Sequence, residues 1–139
     1  VAGKALAMAA GKMSIPFVQA FVRGVLCNWL VTLAVWMTMA STDVTGKIWA
    51  SFFPIMAFVA SGFEHCVANM YFLTVGMLLR GNPAAAAASG LTEQALSSVG
   101  MGGYLANMVP VTLGNIVGGA FFVAVLYYFV YRESLKDLQ

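Results

Sequence analysis

The run from Ile48 to Leu79 is apolar except near its middle, which reads Ser61-Gly-Phe-Glu-His-Cys-Val-Ala-Asn-Met70 and holds the only histidine of the chain. An acid, an imidazole and a carboxamide in the middle of an apolar run are expensive to desolvate. At membrane depth such residues mark a functional site by default. The run is also longer than the ~17–25 residues that one span needs, and it carries Pro54 and Gly62 as well. Two half-helices meet these constraints: Ile48–Ser61, then about Val67–Leu79, joined by a non-helical link at Gly62–Cys66. At 1.5 Å per residue each half is roughly 20 Å long, too short to cross a bilayer alone. Irregular backbone at that depth is stable only inside protein or beside a water-filled cavity. Broken helices of this kind put transport sites at mid-membrane. The second half would point its amide end at the break, a favourable place for an anion.

Composition agrees with a membrane setting. The 139 residues are 61% hydrophobic and 9% charged, with mean hydropathy +0.86, whereas soluble domains are about 25% charged. The fold class expected is therefore an all-α integral membrane protein. A net charge of +2, spread along the chain, leaves no basic footprint for nucleic acid. Cys27 and Cys66 lie in apolar segments and read as small buried residues. One His and two Cys without ligand spacing predict neither a metal nor a cofactor. No phosphate loop or paired carboxylates occur, and Asp43 and Asp137 fall in a turn and a tail, so an enzyme is not expected. The first residue is Val, and no basic segment precedes an apolar run in the manner of a signal peptide. We expect a piece of a longer chain.

In order, Val1–Pro16 is rich in small residues, carries Lys4 and Lys12, and reads as a surface connection or a short interfacial helix. A first span is expected at about 17–40. Its odd residue is Asn28, for which an interhelical hydrogen bond and a pore-lining amide both stand open. Ser41–Lys47 is a polar turn, so the next segment returns antiparallel. In the polar interval Arg80–Met108, Asn82-Pro83 ends a helix, Ala84–Ala88 suits a short helical turn, and Leu91–Val99 suits a weak interfacial helix. Gly100, Gly102 and Gly103 predict a flexible approach to the last span, at about 110–131 with Pro110 in its first turn. There Gly114-Asn-Ile-Val-Gly118, followed by Gly119, makes a small-residue face for close helix contact, with Asn115 on the stripe. Arg132–Gln139 reads as a solvated tail. Lys47, Arg132 and Lys136 on one side face Lys4, Lys12, Arg23 and Arg80 on the other, a balance that does not orient the chain.

Three stretches carry a family resemblance. Phe-Val-Ala-Ser-Gly-Phe-Glu-His-Cys-Val-Ala-Asn-Met-Tyr-Phe at 58–72 resembles the broken fifth helix of the formate/nitrite transporter family. Cys-Asn-Trp-Leu-Val at 27–31 resembles its fourth helix, and Val-Pro-Val-Thr-Leu-Gly-Asn-Ile-Val-Gly-Gly at 109–119 its sixth. The resemblance implies half of an aquaporin-like six-helix inverted-repeat channel. This chain, 1–139, would be the C-terminal half, with the middle one of its three spanning segments broken (spans about 17–40, 48–61 plus 67–79, and 110–131). The first repeat, with the facing wall of the pore, would lie outside it. The resemblance further implies a homopentamer of complete protomers in the cytoplasmic membrane of a bacterium, with the Ser41–Lys47 turn and the C-terminal tail in the cytoplasm. The family's central histidine corresponds to His65, its neighbouring acid to Glu64, and the phenylalanine of an apolar constriction to Phe58. Its fourth- and sixth-helix asparagines correspond to Asn28 and Asn115, and a vestibule lysine to Lys12, by spacing from Asn28.

The implied cargo is a small monovalent anion, formate ahead of nitrite and hydrosulfide, together with protons. A bare anion resists desolvation in an apolar slit far more than its neutral acid does. The expected mechanism has Lys12 and the amide end gather the anion, which crosses as the acid after gaining a proton near the slit. His65, titrating near neutral pH when unperturbed, is the natural donor, partner or relay. Glu64, with Gly62 and Asn69, is expected to support the break by facing a neighbouring helix. Phe58 is open between constriction and ordinary packing. The alternative of another class is a structural membrane subunit whose polar break only packs against partners.

Overall fold

The computed structural model describes residues 1–136. The described residues form helices and turns, without a strand. The order is α1 Ala2–Met13, α2 Phe17–Ala40, α3 Val44–Ala60, α4 Cys66–Leu79, α5 Pro83–Ser89, α6 Glu93–Ser98 and α7 Met101–Ile116. A π-helical stretch, Val117–Val125, then leads into α8, Leu126–Lys136. By length and composition, α2 and the continuous helical run Met101–Glu133 suffice to cross a bilayer, while α3 and α4 are apolar but shorter.

Local chemistry sets several helix starts. Asp43 accepts from the Gly46 amide at 2.8 Å and opens α3, so the polar turn is shorter than Ser41–Lys47. Asn82 accepts from the Ala85 amide at 3.0 Å, with Pro83 just inside α5, and Thr92 accepts from the Ala95 amide at 3.2 Å to open α6. These side-chain oxygens take up amides that a helix N-terminus leaves without partners.

The N-terminal segment departs from expectation. Instead of a surface connection, α1 is a helix with one face packed inward, Leu6, Ala9, Ala10 and Met13 being buried, while Lys4, Met8 and Gly11 stay exposed. Leu6, Ala10 and Met13 join Leu73 of α4, Ala85 of α5, Val99 and Met108 in one apolar cluster. The reason is steric. Small side chains make α1 narrow, and a Cβ on Gly76 of α4 would fall on the Ala9 methyl. Low apolar bulk reads as peripheral in a sequence, but here it is what lets two helices close.

The second seam joins α2 to α7 and the π-helical stretch. A Cβ on Gly114 would fall on the Phe21 carbonyl, one on Gly118 on the Val25 carbonyl, and one on Gly119 against the Asn28 amide. The small-residue face is thus in backbone contact with α2. Two further expectations are corrected here. The last helix starts at Met101, well before Pro110, so Pro110 lies inside α7 and is buried. Gly102 and Gly103 are helical rather than a flexible approach. A Cβ on Gly103 would crowd the Ser98 carbonyl and the Met13 side chain. This close contact seats the first turn of α7; further along, Pro110 leaves the Ala106 carbonyl without its usual helical donor. The expected solvated tail is helical from Arg132 as far as Lys136, and its residues 137–139, Asp137 among them, lie outside the described residues.

Candidate functional site

The site is the link between α3 and α4, and its shape begins with Gly62. That residue has φ +66°. The Gly62 amide donates to the Val59 carbonyl and the Phe63 amide to the Phe58 carbonyl, each at 3.1 Å. This nested pair around a left-handed residue is the common glycine stop of a helix. Only glycine takes that conformation freely, so α3 ends here for a local reason.

The backbone beyond it finds partners on two other helices. The Glu64 amide donates to the Arg23 carbonyl of α2 at 3.3 Å. The Cys66 amide donates to Asn115 Oδ1 at 2.9 Å, and Asn115 Nδ2 donates to the Gly24 carbonyl at 2.8 Å and the Glu64 carbonyl at 3.0 Å. Both Nδ2 partners are acceptors only, so the orientation of this amide is unambiguous. Asn115 is buried and ties α2, the link and α7 together. Asn28 Nδ2 in turn donates to the Asn115 main-chain oxygen at 2.7 Å. Of the two readings of Asn28, the interhelical hydrogen bond is present in the structure.

Adjacent residues of the link then face different surroundings. Glu64 is 2% exposed. Its Oε1 lies 2.7 Å from Lys12 Nζ, and its Oε2 accepts from Asn69 Nδ2 at 2.6 Å and, more weakly, from Asn107 Nδ2 at 3.4 Å. Lys12 of α1, Glu64 of the link and Asn69 of α4 therefore meet. Asn107 was not singled out from the sequence. It falls before the expected start of the last span, and was read as loop. Its spacing to Val111, Gly114 and Gly118 is the signal that could have found it, because those residues share its buried helical stripe.

His65 is half-buried and caps α4, with Nδ1 accepting from the Val67 amide at 3.2 Å. A ring nitrogen that accepts carries no proton, so the neutral ring bears its hydrogen on Nε2. The ring centroids of His65 and Phe58 are 5.9 Å apart. The Cys66 and Val67 amides are both engaged by protein side chains. The amide end of α4 consequently offers an anion fewer donors than a bare helix terminus would. Among the described residues, no three His, Cys, Asp or Glu side chains gather where a metal ion could bind.

Comparison with known proteins places these features in context. A family model described as formate/nitrite transporter matches residues 1–129. The chain is 50% identical over 134 residues to a "Probable formate transporter" of Methanothermobacter thermautotrophicus, covering 95% of this chain and 43% of that protein. It is 36% identical over 122 residues to "Formate channel FocA" of Escherichia coli K12, covering 85% of this chain and 43% of that protein. A solved structure described as "Pentameric formate channel with formate bound" superposes with a TM-score of 0.80 at 38% identity, over 91% of this chain and 51% of that one. The chain thus spans about half or less of the length of these relatives.

Proposed function

This chain belongs to the formate/nitrite transporter family, and from that premise we propose that it is the second half of a protomer that carries a small monovalent anion, or its conjugate acid, through a membrane. Formate is the substrate we assign, since the relatives at 50% and 36% identity and the superposed solved structure are all named for formate. The complete protein would be a homopentamer in the cytoplasmic membrane, with the broken middle span α3–α4 forming one wall of each pore. The wide exposure of α3, with Ile48, Trp49, Phe52, Phe53, Ile55 and Met56 all uncovered, supports a surface meant for lipid or further protein.

The observation that carries the mechanism is the ring of His65. Its Nδ1 is committed to the Val67 amide, so Nε2 is the nitrogen left for cargo, on a half-buried side chain beside Phe58. In this mechanism Lys12 draws the anion to the mouth, Phe58 narrows the path, and the Nε2–H of His65 hydrogen-bonds the cargo. When Nδ1 takes a proton from solution and releases the Val67 amide, the ring passes its Nε2 proton to the anion and is left neutral. The cargo then passes the apolar stretch as a neutral acid, avoiding the desolvation of a bare charge. Glu64, Asn69, Asn28 and Asn115 hold the wall in place. The test is His65→Asn and His65→Phe in the complete protein reconstituted in liposomes, with formate flux followed across pH. Loss of the pH dependence is expected in both variants. Wild-type flux with the wild-type pH profile would overturn the assignment. Competition by nitrite and hydrosulfide in the same assay ranks the cargo.

A further inference from the structure

We propose that Asn107 is a positioning residue for the Lys12–Glu64 pair, holding the carboxylate in place when the Lys12 ammonium turns to an incoming anion. This rests on the reading of Lys12 as part of the anion path. Asn107 is fully buried on α7. Its Nδ2 donates to the Lys12 main-chain oxygen at 2.9 Å, and its Oδ1 accepts from Asn69 Nδ2 at 2.8 Å. The Lys12 carbonyl can only accept, which fixes the Asn107 amide. That orientation presents an oxygen to Asn69, so Asn69 must answer with its nitrogen. Both Asn69 hydrogens are then committed, one to Asn107 and one to Glu64 Oε2.

One atom shows how firmly this is imposed. Asn69 Oδ1 is buried with no partner among the described residues, an arrangement that proteins usually avoid. Turning Asn69 over would replace its two N–H donors by an acceptor oxygen facing two acceptors, the Glu64 carboxylate and Asn107 Oδ1. The orphaned oxygen is the smaller penalty, and Asn107 and Glu64 together enforce it.

The result is a carboxylate held from two sides. Glu64 Oε2 rests on two carboxamides, and Oε1 alone faces Lys12. The Lys12 side chain is 20% exposed and that of Glu64 3%, so an anion reaches the ammonium first. While Lys12 is engaged there, Glu64 keeps its amide partners and is not left a bare buried charge, the situation that makes breaking such pairs so unfavourable. Asn107 also anchors the main chain of Lys12, so one side chain sets the location of both partners.

The rival explanation is that Asn107 is merely a packing residue of α7. The two are separated by Asn107→Asp, Asn107→Leu, Glu64→Gln and the double variant Glu64→Gln/Asn107→Asp, all in the complete protein. Asn107→Asp sets a second acid against Glu64 Oε2 and the Lys12 carbonyl, and we expect the half-saturating formate concentration to rise about tenfold, the effect of disturbing one hydrogen bond to a charged group. The double variant returns the cluster to a single acid and should recover most of that loss. Thermal stability in detergent supplies a readout independent of transport. There Asn107→Asp and Glu64→Gln should be strongly non-additive, with the double variant more stable than the sum of the singles predicts. Should Asn107→Asp alone not fold, folding of the double variant is itself the expected rescue. Additive losses, with Asn107→Asp and Asn107→Leu behaving alike, would overturn the proposal. If the wild type moves no formate while the thermal coupling holds, the transport reading fails and the positioning of Glu64 by Asn107 stands.

Discussion

Helices α3 and α4 enter the break from opposite sides with comparable apolar content, yet α3 buries no residue while α4 buries Asn69, Leu73 and Gly76. The difference lies in what each has to pack against. Helix α4 meets α1, where Gly76 sits on the Ala9 methyl, and the core formed there includes Leu6, Leu73 and Met108. Helix α3 has α2 along one side and otherwise presents Phe52, Phe53, Ile55 and Met56 outward. Hydropathy alone therefore does not decide burial in this molecule. Within this chain, close fit between small residues seats α4 on α1, while the bulky rings of α3 face outward, free for lipid or further protein.

The largest expected effect tests that claim at its strongest point. Gly114→Leu drives a side chain into the Phe21 carbonyl of α2, and we expect no monodisperse protein on size exclusion in detergent. A monodisperse product with wild-type melting behaviour would mean that the seam is not set by close fit. Next, the two half-helices can be compared directly. Leu73→Ala on α4 should lower unfolding stability by about 2–5 kcal/mol, whereas Phe52→Ala on α3 should change it by about 0.5 kcal/mol or less. Equal losses would show that α3 is covered in the complete protein by a segment outside this chain, and would locate that contact. The smallest effect lies in the link itself. At Gly62 a Cβ would meet nothing within 4 Å, so Gly62→Ala suffers only from the positive φ of +66°. The expected loss is about 1 kcal/mol, read from the detergent melting transition, with Gly62→Asn milder than Gly62→Val. A loss as large as that of Leu73→Ala would show that the link is packed more tightly than its geometry implies.

Some of this was legible in the chain and some was not. Helix α2 runs over Phe17–Ala40 and helical structure stops between Ala60 and Cys66; a long apolar run and a glycine stop are local signals that a sequence can carry. The small-residue stripe Gly114–Gly119 also declared itself, since close approach needs missing side chains whatever the partner. The start of the last helix was misread at Pro110, where the residue that normally opens a helix lies inside one. Asn107 was lost with it, since a polar residue assigned to a loop needs no partner. Helix α1 was misread for the opposite reason: alanines contribute little apolar area and look peripheral until a neighbour closes on them.

The sequence by itself determined where the chain must stop being helical, which residues carry charge and titration, and which helix faces can approach closely. These follow from the conformational range of single residues and from short periodicities. Only the tertiary structure decided that Glu64 turns inward to Lys12, Asn69 and Asn107 while His65 stays half-exposed beside Phe58. Nothing local separates two adjacent polar side chains in one link. Their fates depend on which distant helices bring an ammonium and two carboxamides to one of them, and a buried carboxylate is stable only where such partners converge.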